Sequence, residues 1–114
     1  MEFLIIILKK VELVDELIVK LQEIDIHHGT IMDAKSMTSA LAKRWTDVPM
    51  FGLFRSANNH EYNEDCKMLM FVLDRERIDK VTATVEEVVG DLNQPGTAVM
   101  FTVPVNFEKG FDRN

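Results

Sequence analysis

Apolar positions along this chain take on two textures in turn, and the sequence of textures occurs twice. Phe3 to Leu8 is a short, continuously apolar run that reads as a strand. Leu13, Leu17, Leu21 and Ile24 then recur at helical spacing, with Asp15, Glu16, Lys20, Gln22 and Glu23 mostly around the opposite side, as in an amphipathic helix lying on a sheet. Gly29 follows as the expected stop, and Thr30 to Lys35 reads as a second strand. The same order returns later: a strand from Met68 to Leu73, then Asp74 as helix N-cap and a buried stripe of Ile78, Val81, Val85, Val88 and Val89. Gly90 sits where that helix would end, Asn93-Gln94-Pro95-Gly96 forms a turn, and Thr97 to Val105 supplies the last strand. The β-branched residues of the second stripe lower its helix propensity, yet its spacing is helical and its length exceeds a typical strand.

Two strand-helix-strand units predict an α+β fold, a ferredoxin-like βαββαβ sandwich with a four-stranded antiparallel sheet and both helices on one face. Residues 1–114 are expected to form a single domain, with residues 36–65 as a long loop between strands 2 and 3. Leu4 to Leu8 is apolar on both faces, so the side away from the helices should also be covered, for which another subunit is suited. Val48, Met50, Phe51, Leu53 and Phe54 within the loop call for packing as well, against a neighbouring chain or the loop's own sheet. Trp45, Phe51 and Phe54 suit a partner anchor or ligand cradle as well as they suit a seal over the sheet.

Charge narrows the partners. A formal net charge of -6 argues against nucleic acid, which is held by clustered Lys and Arg. The leading Met1 to Lys10 segment lacks the features of a signal peptide and is too short to span a bilayer, so no direct membrane insertion is expected. With Cys66 the single cysteine, no intrachain disulfide can form, and a cytoplasmic location is expected. Paired carboxylates, a nucleophile beside a base and a phosphate-binding Gly-Lys motif are all missing from the sequence, which reads as non-enzymatic and specifies no cofactor. His27, His28 and His60 raise a metal reading, but adjacent histidines on an extended segment point to opposite sides and no usual zinc spacing is present, so structural or surface roles are favoured. Arg75 and Arg77 read as exposed charges of a first helical turn, and Cys66 as a packed thiol.

The segment Thr30-Ile31-Met32-Asp33-Ala34-Lys35-Ser36-Met37, ending the second strand of a double unit just before a long loop, resembles the PII-type nitrogen-regulatory signalling proteins. In that family a Thr-x-x-x-x-Lys-Gly-Phe segment occupies this place. The resemblance implies a homotrimer that binds adenine nucleotides between subunits and controls a protein partner, an enzyme or transporter, through the loop. It carries Ile7, Thr30, Lys35, Ser36, Met37 and Thr38 onto the nucleotide cleft and Gly96 onto the phosphate turn, while Arg44, Trp45, Phe51, Phe54 and Arg55 are read as a partner surface from the charges and aromatic rings of the loop itself. Two departures stand out: the family's loop-base glycines are here Ser36 and Thr38, and the turn from Gly90 to Gly96 has no Lys and carries Asp91. The CutA-type divalent-cation tolerance proteins, trimers of the same fold, supply the alternative of a metal-binding trimer whose histidines gather ions near the subunit interface.

Overall fold

The computed structural model describes residues 1–37, 40, 41 and 65–111. Strand β1 (Glu2–Leu8) leads through a short 3-10 turn (Val11–Leu13) into helix α1 (Val14–Glu23), which is followed by β2 (Thr30–Lys35). The second half comprises β3 (Asp65–Leu73), a 3-10 turn (Arg75–Arg77), helix α2 (Ile78–Val89) and β4 (Ala98–Pro104). The strands form one antiparallel sheet in the order β2-β3-β1-β4, so each half contributes a central and an edge strand.

Alternation along β1 explains the layers. Leu4, Ile6 and Leu8 point to the helix side and are fully buried, whereas Phe3, Ile5 and Ile7 point the other way and are only half-buried. Leu17 and Leu21 of α1 and Val81, Val85 and Val89 of α2 pack with those three β1 residues and with Leu69 and Leu73 of β3 in one core. Burying each such side chain contributes roughly 1.5–3 kcal/mol, which is why the two stripes hold both helices to one face of the sheet. The other face is covered by neither helix. Ile5 lies between Met70 and Phe101, Ile7 between Met68 and Val99, and Phe3 between Val72 and Val103, giving a continuous apolar surface across β3, β1 and β4.

The helix ends differ from the sequence expectation in one half and match it in the other. Gly90 does end α2: its φ is +91°, which favours glycine, and its N–H donates to Glu86 O at 2.9 Å. Gly29 does not end α1. Asp25, with φ +65°, takes the left-handed position there, its N–H donating to Gln22 O at 3.0 Å while Ile26 N–H donates to Leu21 O at 2.9 Å. This is a Schellman ending with Asp in the usual glycine place. Gly29 has a different purpose: a Cβ there would run into the Phe71 ring and lie 3.1 Å from Met70 O, so only a bare backbone can approach β3 this closely. Asp74 stands at the N-cap position of the turn before α2 with extended backbone, but its carboxylate makes no capping hydrogen bond.

Two cation-bearing connections tie the halves together. Lys10, just past β1, donates from Nζ to Val89 O at the end of α2, at 3.1 Å. Arg77, in the turn past β3, donates from a guanidinium nitrogen to Ile24 O at 2.7 Å and Asp25 O at 3.1 Å at the end of α1. Arg77 is therefore no free surface charge of a first turn; each helix C-terminus is closed by a cation from the opposite half, the favourable sense for the helix dipole.

Candidate functional site

β1 ends, β2 ends, and β3 and β4 begin at one end of the sheet, where Leu8 faces both Lys67 and Ala98, and Asp33 also pairs with Lys67. This end gathers five of the six described positions that the resemblance carries onto the ligand site. Ile7 lies on the helix-free face one residue before the end of β1. Lys35 is exposed at the last position of β2, opposite Asp65. Ser36 follows half-buried, its carbonyl accepting the Ala40 N–H at 3.1 Å in a helical turn, and Met37 is 81% exposed. Gly96 precedes β4 with φ +78°.

Thr30 stands apart. It opens β2 opposite Met70, five residues from Lys35, or about 16 Å along an extended strand. Lys35 and Gly96 share an end of the sheet but occupy opposite edges, three strand spacings of about 4.8 Å apart. A small ligand touching both would need a second chain to bring the other edge alongside. Thr38, Arg44, Trp45, Phe51, Phe54, Arg55 and His60 lie outside the described residues.

The turn before β4 is closed on itself. The Asp91 carboxylate accepts the Asn93 N–H at 2.9 Å, Gln94 N–H donates to Asp91 O at 3.0 Å, and the buried Thr97 hydroxyl donates to Gln94 O at 2.9 Å. A carboxylate thus already holds one of the amides that an anion would use. Cationic charge reaches this end from elsewhere. Lys9 and Lys10 donate their backbone N–H groups to Thr97 O at 3.0 and 3.4 Å, which fixes the pair beside the turn. Lys67 is ion-paired with Asp33 and Lys10 is committed to α2, so among the described residues Lys9 and Lys35 are the exposed cations at this end. Sequence reading missed Lys9; its signal was a basic pair placed directly after a buried strand.

Cys66, buried at the start of β3, belongs to the same end. Burial pushes its thiol above the ordinary value and the adjacent Asp65 adds to the rise, while Lys9 and the residue's own backbone amide act in the opposite direction. The folded state therefore holds the proton longer than the unfolded chain does. Stability from this group is complete below the unfolded thiol's value of about 8.5 and falls as pH rises beyond it. Alkylation by iodoacetamide at pH 7 is expected to run about tenfold or more slower in the native protein than in urea, because the thiolate is the reacting form. Equal rates in the two states would show the thiol to be neither shielded nor shifted.

No family model and no curated protein matches this chain. Among the described residues no group of three or more His, Cys, Asp and Glu side chains is placed to hold a metal ion, and no helix is long and apolar enough to cross a membrane.

Proposed function

We propose that this chain is a PII-like regulatory protein with a ferredoxin-like fold, a non-enzymatic cytoplasmic homotrimer that senses a small ligand between subunits and passes its occupancy to a protein partner through residues 36–65. The observation that carries this reading is the gathering of Ile7, Lys35, Ser36, Met37, Gly96 and Lys9 at the end of the sheet from which that segment departs. An adenine nucleotide is the ligand proposed, and Lys9 supplies cationic charge beside a turn that lacks its own Lys. Because Lys35 and Gly96 lie on opposite edges, the site is completed by the edge of a neighbouring copy. The apolar face opposite the helices supports assembly, since contiguous exposed apolar surface of this kind marks an interaction site.

Occupancy would be transmitted by differential contacts: a ligand touching Lys35 to Thr38 favours one arrangement of the segment that follows, and the partner reads that arrangement through Arg44, Trp45, Phe51, Phe54 and Arg55. A coupling of about 1–3 kcal/mol is enough for a useful switch. Calorimetric titration with ATP and ADP, with and without magnesium, tests the reading. Saturable binding is expected at one site per chain. Lys35→Ala should weaken it about tenfold or more while the urea midpoint stays put, since an exposed charge-assisted contact is lost and no core is touched. No heat from either nucleotide would remove the nucleotide assignment, and unchanged affinity in the variant would remove Lys35 from the site.

A further inference from the structure

The end of β2 and the start of β3 carry a square of alternating charge. The two strands are antiparallel, with Asp33 directly opposite Lys67 and Lys35 directly opposite Asp65. Odd-numbered positions of both strands lie on the helix side of the sheet, as Leu69 and Phe71 do, so the four charged residues share one face. Acid stands beside base both across the strands and along them, and like charges occupy only the diagonals. Lys35 is the last residue of β2 and Asp65 the first of β3, so this outer pair stands at the two points where the chain between the strands leaves and returns.

The inner pair is closed, Lys67 being ion-paired with Asp33. The outer pair is exposed at both members, and one of them, Lys35, is the cation proposed above to meet the ligand. Directly opposite residues of an antiparallel pair have Cβ atoms about 4.5–5.5 Å apart. An anion brought to the Lys35 ammonium is therefore brought near the Asp65 carboxylate as well. Attraction by the first and repulsion by the second both grow with the charge that the ligand carries, and Lys67, already engaged by Asp33, offsets little of the repulsion.

We infer that Asp65 is a specificity-determining residue of this site: it discounts affinity for each negative charge on the ligand, so that the site discriminates against free polyphosphate and in favour of nucleotides of lower net charge. The inference rests on the reading of Lys35 as a ligand contact. Asp65→Asn keeps the shape of the side chain and removes its charge. Two unit charges about 6 Å apart across a solvated surface change affinity by a factor of about three, and the further phosphates of a triphosphate add to that. The test is calorimetric titration of the parent and Asp65→Asn with AMP, ADP and ATP at low salt without magnesium, repeated for ATP with magnesium. The variant should bind AMP about threefold and free ATP about tenfold more tightly than the parent does, with ADP between them. Magnesium, by neutralising part of the triphosphate, should bring the gain for ATP down towards that for AMP, and about 0.5 M salt should shrink every gain. An effect of Asp65 on structure alone would shift all three affinities by one factor and move the urea midpoint. Binding by the variant where the parent is silent supports the inference. Equal gains for AMP and ATP, or a parent that binds with affinities the variant leaves unchanged, overturn it while the nucleotide reading stands; silence of both proteins towards all three nucleotides overturns that reading and the inference with it.

Discussion

Ile5→Lys is expected to leave each protomer folded and to reduce the mass in solution threefold, to the 13.1 kDa of a single chain. Ile5 is the middle of the apolar face, flanked by Met70 on β3 and Phe101 on β4. In an isolated protomer it is half-buried and faces away from both helices, so a lysine stem can lie along its neighbours with the ammonium in water, and the core beneath is undisturbed. In a trimer assembled through this face, three such ammoniums would be taken out of water against apolar partners, at a cost of several kcal/mol each. Phe101→Glu on the edge strand should act the same way from a different element. Light scattering on the parent and both variants decides the matter: a parent already at 13.1 kDa would sink the trimer and assign the face to a different protein.

The second large effect concerns the crossed helix closures. Arg77→Met and Lys10→Met should each destabilise the fold by about 1–2 kcal/mol, since a charged hydrogen bond to a helix-terminal carbonyl is lost and the methionine keeps most of the apolar stem. The two closures lie at opposite ends of the sheet, one past the end of β1 and one past the end of β3. Their effects should therefore add, to about 2–4 kcal/mol in the double variant. Against a total stability of about 5–15 kcal/mol, that would move the urea midpoint far enough to measure easily. Arg77→Lys should recover part of the loss, because a single ammonium can serve one of the two carbonyls that the guanidinium spans. A midpoint that does not move in the Met variants would mean that water replaces these cations at no cost.

Much of the architecture was legible because it rests on local periodicity. The two-sided character of β1, the Leu17 and Leu21 stripe, the Val81, Val85 and Val89 stripe and the Gly90 ending all depend on neighbours within a few residues. What sequence reading missed depends on distance. Gly29 looked like a helix stop because nothing local reveals that the Phe71 ring occupies the space beside it, or that Asp25 takes the left-handed residue four positions earlier. Arg77 looked like surface charge because its partners lie 53 and 52 positions away, and Lys10 reaches across 79. At the candidate site the spacing of Lys35 and Ser36 against the end of β2 was read correctly, while Lys9 enters only through the pairing of β1 with β4.

The exchange of cations between the halves also sets an order on how the molecule is made. When α1 leaves the ribosome its last carbonyls have no Arg77, which is 53 residues behind Ile24 and arrives only after a few seconds at ordinary rates of synthesis. For that interval water closes the first helix, and Lys10 waits longer still for Val89. Either repeat, cut out alone, would lack the cation that closes its helix. Two half-chains meeting about a twofold axis could, however, make the same exchange between molecules, so the single chain retains within itself the form of a dimer contact.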